Sequence, residues 1–115
     1  MAIKLFVTDL DGTLLDENHM VSDENRAAVQ AAAAQGVTVT IATGRMYASA
    51  LPYARQLGVD VPIITYNGAL IKSVSGEVLF ESYLEPKAVT AVLDYCRKAQ
   101  WFVQLHRGDN LYFRE

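Results

Sequence analysis

Three short apolar runs, Ile3–Thr8, Val37–Ala42 and Pro62–Tyr66, constrain this chain most, because each leads into a polar turn and a helical segment separates one from the next. A short, nearly continuous apolar run reads as a strand buried on both faces, the kind found in parallel sheets. Parallel neighbours need a crossover connection, usually a helix. The first crossover carries its own stop and start signals. Ser22 is placed to cap a helix, Asp23 and Glu24 suit its first turn, the Ala-rich stretch Arg26–Gln35 has high helix propensity, and Gly36 suits the position just past its end. The second crossover is predicted from about Met46 to Leu57, with Pro52 either kinking it or marking its true start, and Gly58 ending it. The order predicts an α/β fold, an open parallel sheet with helices on its faces. Ligands of such sheets gather at the carboxyl ends of the strands. Three turns fall there, Asp9–Thr13, Thr43–Arg45 and Asn67-Gly68, with the first two expected side by side.

After Gly68 the pattern changes. Leu70–Val74 and Val78–Tyr83 flank Ser75-Gly76 as a β-hairpin, and Pro86 opens a helix running to about Ala99. Trp101–His106 and Leu111–Arg114 read as strands around Gly108-Asp109-Asn110. Residues 1–68 therefore form one portion and 69–115 a second. Trp101, Phe102, Tyr112 and Phe113 are expected to pack as core of that second portion, with a substrate-facing role as the alternative.

Composition narrows the function classes. Hydrophobic residues make up 51% and charged residues 20%, the balance of a folded globular chain. A net charge of −3 argues against a nucleic-acid partner, which calls for a basic face. The lone Cys96 cannot form an intrachain disulfide, and the apolar start is too short for a leader or a membrane span. A cytoplasmic location with no membrane partner is the expectation.

Asp9 and Asp11 stand at alternate positions just past the first run, where an extended backbone points both to one side. Two close carboxylates repel unless a proton or cation lies between them. Mg²⁺ suits such a pair, since it takes hard oxygen ligands and keeps positions for waters and phosphate. Gly12 permits a sharp turn, and the Thr13 hydroxyl can satisfy local backbone groups or orient a carboxylate. Thr43-Gly44-Arg45 follows the second run and opens a helix, so the Thr43 hydroxyl and the Gly44 N–H form a small anion site; a simple N-cap threonine with a loop glycine is the alternative.

Leu5–Leu15, containing Asp9-Leu10-Asp11-Gly12-Thr13, resembles the first signature of the haloacid dehalogenase superfamily, and Ile41–Arg45 resembles its second. Ile64–Ala69, with Asn67-Gly68, is similar to a segment of the Cof-like sugar-phosphatase subfamily. Asp9 and Thr43 are 34 positions apart (43 − 9), room for one helix and one strand but for no cap domain between them. The resemblance implies a Rossmann-like parallel sheet with helices on both faces, followed after Gly68 by the start of an α+β cap. It implies Asp9 as the nucleophile forming an aspartyl phosphate and as a Mg²⁺ ligand. Asp11 would be the general acid/base, its carbonyl a second Mg²⁺ ligand. The Leu10 and Gly44 amides and Thr43 would hold the phosphoryl oxygens. Arg45 would reach the substrate beyond the phosphate or lie solvated at a helix start, and Asn67 would line the mouth or simply form its turn.

The superfamily also carries a third-motif lysine and a fourth, acidic motif. Lys72, Lys87, Lys98 and Asp109 all fall in predicted cap elements, so neither motif is placed within these 115 residues. The expectation is a Mg²⁺-dependent phosphatase of small phosphorylated metabolites, such as sugar phosphates, with the 115-residue chain inactive alone and prone to self-association through exposed sheet edges. The alternatives are a phosphomutase using the same aspartyl phosphate, or a module that binds Mg²⁺ and phosphate without turnover.

Overall fold

A computed structural model describes residues 2–113; Arg114 and Glu115, at the end of the last expected strand, lie outside the described residues. The chain divides into two compact units, residues 1–81 and 82–115.

In the first unit, β1 (Leu5–Thr8) and β2 (Thr38–Ile41) pair in parallel, with Leu5 opposite Thr38 and Thr8 opposite Ile41. The crossover between them is α1 (Asp23–Ala34), which starts and stops on the expected signals. Ser22 accepts the Asn25 amide at 3.1 Å, and Gly36 has a φ of 83° just past the helix end. The second crossover, α2 (Tyr47–Leu57), continues through Pro52 rather than starting there. Gly58, in the left-handed conformation, ends it. The chain then enters β3 (Pro62–Thr65), joined to the end of β2 by a parallel bridge between Ala42 and Ile64. The Thr40 hydroxyl reinforces that junction by donating to the Pro62 carbonyl at 2.5 Å.

The core of this unit lies between strands and helices. Val39, Ile41 and Ile63 from the strands meet Ala50, Ala54 and Leu57 from α2, all nearly or fully buried. Each large side chain removed from water in this way contributes about 1.5–3 kcal/mol. β1 departs from expectation. Leu5, Phe6 and Val7 are 57%, 49% and 44% exposed, because among the described residues β1 pairs with β2 alone.

β3 turns back through the short 3₁₀ turn Tyr66–Gly68 into β4 (Leu70–Ser73), its antiparallel neighbour, and β5 (Val78–Glu81) follows on the outer side of β4. The hairpin expected to open a second portion after Gly68 is thus hydrogen-bonded to β3, and the compact units divide after Glu81. The buried Tyr47 hydroxyl fastens α2 to this hairpin by donating to the Ser73 carbonyl at 2.7 Å.

The second unit consists of α3 (Pro86–Ala99), with Pro86 at its start, and the antiparallel hairpin β6 (Gln104–Arg107) and β7 (Asn110–Phe113). Cys96 is buried. The aromatics expected as core, Trp101, Phe102, Tyr112 and Phe113, are instead largely exposed; Trp101 meets Tyr95 edge to face at 5.6 Å, and Phe102 meets Phe113 at 6.3 Å. No helix among the described residues is long and apolar enough to cross a membrane.

Candidate active site

Parallel pairing makes β1 and β2 end together. The Ala42 amide donates to the Thr8 carbonyl at 2.9 Å, so the Asp9 and Thr43 turns leave the sheet side by side, as expected. The chain after Asp9 forms a π-helical turn, Leu10–Leu14, closed by the Leu15 amide on the Leu10 carbonyl at 3.0 Å. Inside it Asp11 is extended (φ −71°, ψ 123°) and Gly12 has a φ of 76°, which glycine adopts without a Cβ penalty. Leu10 and Leu14 are buried and anchor the turn, while Asp11 stays accessible.

Asp9, Ala42, Thr43, Gly44, Ile64, Asn67 and Gly68 line an open cavity of ≈470 Å³. One Asp9 carboxylate oxygen accepts the Leu10 amide at 2.7 Å, which fixes the side chain and leaves its second oxygen for another partner. The Leu10 N–H, expected on a phosphoryl oxygen, is therefore engaged by Asp9 in this state. Thr43 accepts the Arg45 amide through its hydroxyl oxygen at 3.1 Å, so both readings of this triplet hold: it orders the turn and still has a hydroxyl proton to donate.

The third turn is held against the second. The Tyr66 amide donates to the Arg45 carbonyl at 2.9 Å and the Asn67 amide to the Thr43 carbonyl at 3.1 Å. These bonds keep Tyr66 (φ 51°) and Asn67 (φ 56°) left-handed, at about 1–3 kcal/mol of strain each. The outcome is an Asn67 side chain seated over Gly44, where a Cβ would lie 2.9 Å from Asn67 Oδ1. Glycine at 44 is thus a condition for Asn67 to line the cavity.

Asp11 is not paired with Asp9. Arg45 grips it as a fork, Nε to Oδ2 and Nη2 to Oδ1, both at 2.6 Å. Hydrogen bonding to the Arg45 guanidinium holds the Asp11 carboxyl below the usual aspartate range, and the same bonds raise the guanidinium pKa. His19 Nδ1 lies 3.6 Å from Asp11 Oδ1. The other edge of Arg45 meets Ser49 and Tyr53. His19, Ser49 and Tyr53 escaped the sequence reading. For the last two a signal exists, since 45, 49 and 53 follow a four-residue helical spacing.

The donor chemistry suits Mg²⁺ in part. Asp9 offers a carboxylate oxygen at the cavity, a hard ligand, whereas Asp11 is not among the residues that line it; water and phosphate would fill the remaining positions. Among the described residues no group of three or more His, Cys, Asp or Glu side chains is placed to hold a metal.

A family model described as haloacid dehalogenase-like hydrolase matches residues 6–115. The chain is 30% identical over 110 residues to the phosphatase YwpJ of Bacillus subtilis, covering 96% of this chain and 39% of that protein. It is 32% identical over 109 residues to 5-amino-6-(5-phospho-D-ribitylamino)uracil phosphatase YwtE of the same organism, covering 95% and 37%. Among solved structures, a haloacid dehalogenase-like hydrolase from B. subtilis superposes with a TM-score of 0.88 at 29% identity, covering 98% of this chain and 40% of that one. The chain thus spans about two fifths of the length of these relatives.

Proposed function

This chain belongs to the haloacid dehalogenase-like hydrolase family, in its Cof-like branch, and from that premise we propose that the whole protein is a Mg²⁺-dependent phosphatase of small phosphorylated metabolites. The observation that carries the reading is the placement of Asp9. Its carboxylate is fixed by the Leu10 amide at a cavity whose other wall is Thr43 and Gly44 from the neighbouring strand end. A nucleophile and an anion-binding turn facing one cavity are what phosphoryl transfer needs.

In this reading an Asp9 oxygen attacks phosphorus as the bond to the leaving oxygen breaks, and the Asp11 carboxyl, which must carry a proton for this step although the Arg45 fork favours its ionised form, gives that oxygen its proton. Asp11 then takes a proton from water as the water oxygen attacks the aspartyl phosphate. The bond between phosphorus and Asp9 breaks, releasing phosphate and restoring both carboxyl groups. Thr43, the Gly44 amide and, once released from Asp9, the Leu10 amide hold the phosphoryl oxygens; Asn67 lines the mouth. Bound Mg²⁺ would offset the charge on the transferring group.

A small polyol or sugar phosphate is the favoured substrate, in keeping with the phosphorylated ribityl group in the name of YwtE. A cytoplasmic location, the absence of nucleic-acid and membrane partners, and the assignment of the α3–β6–β7 unit to the start of a cap belong to the same proposal. For the 115 residues by themselves the proposal is phosphate and Mg²⁺ binding with little turnover. The guanidinium near the nucleophile, Arg45, is taken up by Asp11, and the Lys72 ammonium lies over the Tyr47 ring at 4.5 Å. The half-exposed apolar face of β1 supports self-association of these residues.

The test is steady-state phosphate release by the whole protein from a panel of small phosphate esters, with and without Mg²⁺. Asp9→Asn should abolish turnover, because an amide is a very poor nucleophile. Near-normal activity of that variant would remove the covalent mechanism.

A further inference from the structure

Arg45 donates four hydrogen bonds through its guanidinium. Two go to Asp11 at 2.6 Å each, one to Ser49 Oγ at 3.3 Å and one to the Tyr53 hydroxyl at 3.4 Å. A guanidinium has five N–H groups, so one remains for any further ligand. The Tyr53 ring also lies against the cation, 5.0 Å from ring centroid to Arg45 Cζ. Tyr53 passes the connection on, its hydroxyl donating to the His19 carbonyl at 3.2 Å, and the His19 imidazole returns to within 3.6 Å of Asp11. Asp11, Arg45, Tyr53 and His19 thus form a closed ring of contacts. His19 is fixed on its own side too, because Asp16 accepts the Asn18 and Met20 amides at 2.9 Å each and makes residues 16–20 a tight turn.

We propose that Arg45 serves the reaction as a positioning residue for Asp11 rather than as a substrate ligand, and that Tyr53 ties this fork to the turn carrying His19. The proposal rests on the reading of Asp11 as acid/base. The physical case is one of geometry. Asp11 is extended within an irregular turn beside Gly12, and 45% of its side chain is exposed, so the backbone and packing alone leave its carboxyl group several rotamers. A planar fork that meets both oxygens selects one of them. Arg45 is itself kept from swinging by Ser49 and Tyr53 on the next two turns of α2. A ligand drawing Arg45 away would have to break bonds on both of its edges.

The test separates a residue acting through Asp11 from one that binds substrate. Phenyl phosphate and p-nitrophenyl phosphate have nearly the same shape, but the phenol leaving group needs a proton far more. In the whole protein, Asp11→Asn should lower kcat/KM on phenyl phosphate about 100-fold more than on p-nitrophenyl phosphate. Arg45→Gln should show the same bias at about 10-fold, and Tyr53→Phe at about 3-fold, both with KM little changed. Neither should add to the loss already present in the Asp11→Asn background. Equal losses on the two esters, a rise in KM alone, or full additivity with Asp11→Asn would overturn the inference. No ester bias in Asp11→Asn itself would sink the acid/base reading, and the inference with it. A readout independent of turnover is the Arg45 Nε–H resonance in ¹⁵N spectra. It should exchange slowly with water in the parent, faster in Tyr53→Phe and fastest in Asp11→Asn; if Asp11→Asn leaves it unchanged, the fork does not exist in solution.

Discussion

Gly44→Ala should leave the fold intact and damage the site. An added Cβ would lie 2.9 Å from Asn67 Oδ1 and 3.5 Å from Asn67 Cγ and Nδ2, with no other atom among its nearest contacts. Only the first of these is closer than ordinary van der Waals contact, and it belongs to the end of a side chain. Asn67 can therefore give way by rotating, at about 0.5–1.5 kcal/mol for a strained rotamer. Replacing glycine also restricts the unfolded chain, which returns about 0.4–1 kcal/mol. The two terms nearly cancel, so urea melts of parent and variant should agree to within about 1 kcal/mol. Phosphate binding should not survive so well, because the rotated Asn67 no longer lines the cavity and a methyl group stands beside the Gly44 amide. A loss of about 10-fold in inorganic phosphate affinity, read by calorimetry in Mg²⁺, is expected from one displaced polar contact. In an Asn67→Gly background, which keeps the left-handed backbone and removes the obstacle, Gly44→Ala should cost much less. Unchanged affinity in the single variant, or a stability loss above about 3 kcal/mol, would refute the reasoning.

Tyr47→Phe should destabilise the first unit by about 0.5–1.5 kcal/mol in urea melts, because it removes the 2.7 Å bond to the Ser73 carbonyl, which keeps its 3.1 Å bond from the Gly76 amide; no measurable loss would mean that the tie between α2 and β4 is not formed. The Asp11 carboxyl is held below its ordinary range mainly by Arg45, so the pairing contributes stability above the unfolded value near pH 4 and loses it as pH falls through the lower folded value. The advantage of the parent over Asp11→Asn in thermal melts should thus be constant near neutrality and shrink below about pH 4; a constant difference down to about pH 2 would contradict the pairing. The 115-residue chain should self-associate in light scattering, and Phe6→Lys, on the half-exposed β1, should shift it toward monomer; a parent monomer at all concentrations would remove β1 as an interface.

The elements legible in the sequence are those written in local chemistry. Ser22, Gly36, Gly58 and Pro86 punctuate helices through bonds or torsions that reach only a few residues, and all four stand where the sequence puts them. The adjacency of the Asp9 and Thr43 turns was also readable, because two short strands joined by one helix tend to lie as parallel neighbours. What escaped depends on distant partners. Arg45 finds Asp11, and Tyr53 finds His19, each across 34 positions, and no propensity records such a choice. The left-handed backbone at Tyr66 is stabilised by the Arg45 carbonyl on another turn, so nothing in the residue type announces it. The exposure of β1 was misjudged for a related reason: an apolar run states that a strand can be covered, and the covering elements have to come from elsewhere in the fold.

The central claim is that Asp9 becomes phosphorylated. The direct measurement is mass spectrometry of peptides from the whole protein, quenched in acid during turnover of a phosphate ester with Mg²⁺. The account predicts one added phosphoryl group on the peptide containing Asp9, localised to that residue, and none in Asp9→Asn. Turnover with no phosphoryl group on Asp9, under conditions that preserve a chemically prepared acyl phosphate, would contradict it.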